Sequence, residues 1–184
     1  MTQYLDWLLN SEHGKDEARQ HNNHGTWYDV QVASLALFTG NTAVARQTIL
    51  RVRDERLPKH IEPDGSQPHE LARTRSWNYS VMNLQSFFTL ATLAEKVDVD
   101  LWKYSTSDGR SIIAALDYLI LFADPENPKP WEYKQITNWS PSQIVPLLYQ
   151  AACKFPQRNY RQLARKLEGS EINLNKILYS CGGE

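Results

Sequence analysis

Apolar residues in this chain recur every three to four positions and almost nowhere every second position. That pattern confines the fold to helices. A helix presents one face with a period of 3.6 residues, whereas a half-buried strand alternates with a period of two. Tyr4, Leu5, Leu8 and Leu9 form a first short apolar face, followed by polar residues 11–14 that read as a loop containing His13. Trp27, Val30, Ser34, Leu37 and Phe38 lie on one face of a second helix, which stops at Gly40. Asn41 is a good N-cap for a helix over 42–56, with Val44, Ile49 and Val52 inward.

Pro58, Pro63, Gly65 and Pro68 then mark a stretch without helix. The longest periodic stretch covers 77–97, and another covers 110–123 before Pro125, Pro128 and Pro130. Ser140 precedes Pro141 as cap and first helical residue of a segment reaching 155. Within it, Pro146 should kink the helix or restrict its regular part to later turns. Short helices are expected over 160–167, stopped by Gly169, and over 174–179. The fold class is therefore all-α, with six or seven antiparallel helices in hairpins. No internal repeat is evident.

Composition narrows the partners. Lys plus Arg is 20 and Asp plus Glu is 21, a net charge of -1, so no nucleic-acid partner is expected. No run approaches the ~18 consecutive apolar residues of a membrane span, so no membrane partner is expected either. The first ten residues lack the basic start and apolar core of a signal peptide. Cys153 and Cys181 fit neither a disulfide framework nor a zinc spacing. Trp 6 and Tyr 9 exceed Phe 5, and such amphipathic rings suit half-wet surfaces as well as cores.

Two polar clusters stand beside helices. The first reads Gln-His-Asn-Asn-His-Gly-Thr-Trp-Tyr at 20–28. Thr26 is read as a helix cap, but Asn22, Asn23 and His24 together exceed what one helix start needs. His21 and His24 form a His-x-x-His pair. No Glu or third His follows at helical spacing, so no metal or other cofactor is expected. The second cluster spans 64–79 and contains Glu70, Arg73, Arg75, Trp77 and Tyr79. On one helix, Arg75 and Tyr79 would share a face, with Arg73 approaching from the side. A guanidinium there favours a phenolate and offers a planar fork to a carboxylate. The plainer alternative pairs Glu70 with an arginine in an ordinary surface salt bridge.

Asn-Asn-His-Gly-Thr-Trp-Tyr at 22–28, with Glu-Leu-Ala-Arg at 70–73 and a Tyr shortly after, resembles the alginate lyase family. These are α/α-toroid polysaccharide lyases acting on uronic-acid polymers. The resemblance covers about residues 4–167, and its motifs rarely coincide by chance. It implies that residues 1–184 are a single, incomplete toroid domain starting partway through a protein about twice as long. It further implies that Asn23 and Arg73 neutralise the substrate carboxylate while His24 and Tyr79 move protons. Two departures stand out. Gly25 follows the His where the best-known branch has Ser, and the Arg-to-Tyr interval is one residue shorter, so Arg75 rivals Arg73. This variant looks like the branch acting on alginate or glucuronan, and it implies a periplasmic or secreted enzyme.

The chemistry suits those residue types. The C5 proton of a 1,4-linked uronate lies beside the C6 carboxylate, and its removal builds charge on a group already anionic. Donors aimed at that carboxylate stabilise the developing dianion. A base then takes the C5 proton and an acid protonates the leaving O4. Trp27, Tyr28 and Trp77 are candidates for stacking on sugar rings, with packing of helix starts the favoured alternative because Trp27 fits an apolar stripe. Asn22, Gln67, His69 and Arg75 are candidate substrate contacts. The expected activity is that of a carbon–oxygen lyase cleaving an anionic polysaccharide by β-elimination. Competing readings are a toroid glycoside hydrolase, with Glu62, Asp64 and Glu70 as candidate carboxylates, and a non-catalytic carbohydrate-binding fragment. A partial ring is also expected to self-associate through exposed helix faces.

Overall fold

The computed structural model describes residues 1–168, and every described regular element is helical. The expected segment at 174–179, the stop at Gly169 and Cys181 lie outside the described residues. Ten α-helices are numbered in chain order. They are α1 (Thr2–Asn10), α2 (Glu12–Arg19), α3 (Asn23–Phe38), α4 (Thr42–Arg51), α5 (Leu57–His60), α6 (Pro68–Leu71), α7 (Ser76–Ala94), α8 (Ile112–Ala123), α9 (Val145–Lys154) and α10 (Tyr160–Glu168).

The capping side chains mark where these helices start. Asn41 Oδ1 accepts from Val44 N at 3.2 Å and Ser111 Oγ accepts from Ala114 N at 3.0 Å. Each satisfies a backbone donor that the first turn leaves without an intrahelical partner. The expected polar loop at 11–14 is instead the start of α2, where Ser11 Oγ accepts from Gly14 N at 3.0 Å. Periodicity missed this helix because it is polar on nearly every face. His13 accordingly sits on a helix.

The helix expected over 42–56 is longer and less regular than its pattern implied. After α4 a π-helical turn (Val52–Arg56) leads directly into α5, with Leu57 N–H donating to the Val52 carbonyl. Pro58, expected to lie in a stretch without helix, sits inside this continuous helical run, directly after the π-helical turn. Pro146 falls in the first turn of α9, after a 3₁₀ turn (Pro141–Ile144). It delays the regular helix and does not kink it.

Helices α1 and α2 form one hairpin and α9 and α10 another, while α3 packs against α4 on one side and α7 on the other. Helix α7 carries the centre of the core. Trp77, Leu84, Phe87, Phe88, Leu90 and Ala91 are all fully enclosed, and each large side chain contributes about 1.5–3 kcal/mol by leaving water. Helix α8 adds Ile112, Leu116 and Leu119.

The tryptophans divide between core and surface. Trp77 packs edge-on against Trp131 at 5.1 Å and at a tilt against Trp139 at 4.5 Å, and Trp102 packs on Phe88 at 4.9 Å. Trp7 is exposed and stacks on Tyr4. Among the described residues the only β-type pairing is an isolated antiparallel bridge between Arg75 and Gln135. It pins the 131–139 loop across the start of α7.

Candidate active site

The entrance to α3 sits where three braces meet. The Asn22 side chain is the cap, accepting from His24 N at 3.0 Å. Thr26, expected to cap, lies inside the helix and is buried, and its hydroxyl shares a 3.2 Å hydrogen bond with His60 Nδ1. Asp29, one turn further, is buried and paired with both Arg51 and Arg56. Arg56 also donates to the carbonyls of Ala18 at 2.8 Å and Gln20 at 2.9 Å, which fastens the α2–α3 connection to α3.

Gly25 lies against this clamp. A Cβ there would stand 2.2 Å from the Gln20 carbonyl oxygen and 2.3 Å from Arg56 Nη1. The glycine that departs from the expected serine therefore has a local packing cause.

The third brace is Glu70. It is 1% exposed and lies on α6, 47 residues from its partner. Its carboxylate accepts from the backbone N–H of Asn23 at 2.5 Å and from Asn23 Nδ2 at 3.1 Å. Burial pushes the Glu70 carboxyl above the usual carboxylate range, while the Asn23 donors, then Arg73 and His24, pull it back. The surface salt bridge considered for Glu70 is thus an enclosed hydrogen-bonded group.

Arg73 Nη1 stands 3.8 Å from Glu70 Oε2, is itself buried and makes no hydrogen bond. The guanidinium lies over the Tyr79 ring, 4.0 Å from its centroid. Arg75, not Arg73, was the residue whose spacing placed it on the Tyr79 face. The structure puts Arg75 just before α7, where its carbonyl accepts from Tyr79 N at 3.0 Å, and brings Arg73 to the ring.

Asn23 and His24 line a cleft of about 510 Å³ together with Tyr4, Trp7, His13 and Trp27. Tyr79 and Arg75 line a second hollow of about 370 Å³ with Asn78 and Gln143. The chain Asn23–Glu70–Arg73–Tyr79 links the two through side chains. The start of α7 is held from outside by Gln135, whose Oε1 accepts from Trp77 N at 3.1 Å, and by Ser76, whose hydroxyl donates to the Lys134 carbonyl at 2.7 Å.

The remaining expected contacts divide by burial. Trp27 is half-buried on the cleft wall, and His69 is exposed with its ring 4.6 Å from that of His21. Tyr28 is buried with its hydroxyl donating to the Leu8 carbonyl at 3.1 Å. Gln67 is enclosed, donating to the Ser80 carbonyl at 3.0 Å and accepting from Asn83 at 2.8 Å. Trp77 is in the core. For Gln67 and Trp77 the expected sugar contact gives way to packing, because no face is left for a ligand, whereas Tyr28 keeps a place on the cleft wall beside Trp27.

His21 and His24 part company, one on His69 and the other with Nδ1 3.3 Å from Glu17 Oε2. Among the described residues no group of three or more His, Cys, Asp or Glu side chains could hold a metal ion, and no helix is long and apolar enough to cross a membrane. Sequence reasoning missed Glu17 and misjudged Glu70. Neither carries a local signal beyond the Glu-Leu-Ala-Arg motif itself.

The profile of the alginate lyase family matches residues 1–131. A solved structure, an alginate lyase from Bacteroides ovatus, superposes with a TM-score of 0.86 at 34% sequence identity, over 96% of this chain and 46% of that one. This chain thus spans under half the length of the lyase it matches. No curated protein matches it significantly. On the profile match and this likeness together, the chain, an all-α portion of an α/α toroid, belongs to the alginate lyase family.

Proposed function

We propose that the protein to which this chain belongs is a polysaccharide lyase cleaving 1,4-linked polyuronates, polymannuronate or glucuronan, by β-elimination. The observation that carries this reading is the linked set Asn23–Glu70–Arg73–Tyr79 beside His24. Through one buried carboxylate it connects the two donors assigned to the substrate carboxylate with Tyr79, and His24 directly follows Asn23.

In this scheme Asn23 and Arg73 hold the C6 carboxylate and stabilise the charge that builds on it. Tyr79 or His24 takes the C5 proton, and the electron pair of the C5–H bond becomes the C4–C5 double bond. The C4–O4 bond breaks, and O4 leaves with a proton from Tyr79. When both positions lie on one face of the ring, as in mannuronate, Tyr79 serves both steps. When they lie on opposite faces, His24 is the base. Glu70 touches no substrate and fixes the angle of the Asn23 amide.

The hydrolase alternative finds no support in the carboxylates. Glu70 is enclosed by Asn23, Glu62 pairs with Arg110 at 3.1 Å, and Asp64 accepts from Ser66 N at 2.9 Å. Two carboxylic groups flanking an open cleft are what hydrolysis requires. Action outside the cytoplasm belongs to the same proposal and is supported by the family. So does self-association, for which Tyr4, Trp7, Phe38 and Leu121 are the exposed candidates.

The test is absorbance. Elimination creates a conjugated double bond that absorbs in the ultraviolet, and hydrolysis does not. Incubating the intact protein with a panel of polyuronates should raise ultraviolet absorbance for polymannuronate or glucuronan. New reducing ends without absorbance would assign hydrolysis, and neither signal would leave carbohydrate binding alone.

A further inference from the structure

We propose that Glu17 is a positioning residue that fixes the tautomer of His24, so that Nε2 is the ring nitrogen facing substrate. The proposal rests on the lyase reading and deepens it. Glu17 Oε2 stands 3.3 Å from His24 Nδ1, and both side chains are about half exposed on the wall of the same cleft. A carboxylate accepts only, so this contact is a hydrogen bond only when Nδ1 carries the proton. Nδ1–H toward Glu17 leaves the Nε2 lone pair free to accept the C5 proton.

Both partners sit on braced mounts, which separates this pair from an ordinary surface contact. Helix α2 is capped at its start by Ser11 and pressed against α1 at Gly14, where a Cβ would stand 1.9 Å from the Leu8 carbonyl oxygen. Its end is held by Arg56 through the carbonyls of Ala18 and Gln20, on either side of Arg19. His24 lies in the first turn of α3, fastened by Glu70 through the adjacent Asn23 backbone. The side chains therefore meet across a gap that neither backbone can readily widen.

The experiment uses intact protein with histidine ring nitrogens labelled, His24→Gln assigning the His24 signals, and compares wild type with Glu17→Ala and Glu17→Gln. Nitrogen NMR reads which ring atom carries the proton, and steady-state kinetics on the best polyuronate reads kcat and KM. Wild type should show the proton on Nδ1. Glu17→Ala should move it toward Nε2 and lower kcat about tenfold, a fraction of what a proton-transfer group supplies, with KM unchanged. Glu17→Gln, whose amide oxygen still accepts, should restore the Nδ1–H form and most of kcat. An unchanged tautomer in Glu17→Ala, or an unchanged kcat alongside a shifted one, overturns the proposal. If wild type eliminates none of the polyuronates while the tautomer still follows Glu17, the hold on His24 stands and the lyase reading falls.

Discussion

Glu70, itself enclosed, accepts two hydrogen bonds from Asn23, one from its backbone N–H and one from its side-chain amide. The pair joins α6 to the first turn of α3 and sets the direction of the amide on the cleft wall. The same carboxylate faces Arg73, so one buried group organises both side chains proposed to hold the substrate carboxylate.

Removing that carboxylate should cost stability and activity together. Glu70→Ala strands two Asn23 donors and leaves Arg73 without its counter-charge, a loss of about 3 kcal/mol for a broken buried pair. Glu70→Gln keeps the volume and one acceptor and should cost about 1–2 kcal/mol. Denaturant midpoints at constant slope give both values.

Tyr79→Phe and His24→Ala should each abolish the gain in ultraviolet absorbance in the intact enzyme, while far-ultraviolet circular dichroism stays unchanged. Neither side chain is buried, so the loss should be chemical. General acid and base groups contribute about 10²- to 10⁴-fold. Full activity in both variants would remove the site assignment.

Gly25→Ala places a methyl group against Gln20 O and Arg56 Nη1. Arg56 cannot step aside, because Asp29 and the carbonyls of Ala18 and Gln20 hold it on three sides. Overpacking of this kind costs about 2 kcal/mol, which for a chain of this size lowers Tm by roughly 4–8 °C. Thermal unfolding monitored by circular dichroism checks it. Gly25→Ser should behave alike.

His60 should make the fold acid-sensitive. Burial first, then Arg56, His69 and His21, hold it down at about 3. The unfolded chain binds a proton near 6.5 and the folded chain does not, so the His60 contribution is complete above pH 7. It falls away as pH drops from 6.5 toward 3. Between pH 7 and 5 the loss is about 2 kcal/mol. His60→Gln, which lacks the titration, should flatten that part of the stability–pH curve. An identical slope in the variant would assign the acid sensitivity to another group.

Local pattern determined a good deal here. Runs of apolar residues at helical spacing suffice to place α3, α4, α7, α8 and α10 along the chain, although on α3 the buried face includes Val32, Ala33 and Ala36 and the expected Phe38 is exposed. The motifs at 22–28 and 70–73 were enough to identify the family, now shown by comparison. Helix α2 escaped because Ala18 is its only apolar side chain, so no apolar recurrence marks it. Thr26 was misread as a cap because capping and burial draw on the same polar residue types.

Only the tertiary structure decided which groups meet. Spacing favoured Arg75 beside Tyr79, and the turn before α7 delivered Arg73. Trp77 and Gln67 looked like ligand contacts by type and neighbourhood, and packing enclosed them. Glu17 reaches His24 across seven residues and Glu70 reaches Asn23 across 47. Periodicity reports which face of a helix leaves water. It carries no term for the direction in which one helix approaches another, and these contacts depend on that direction.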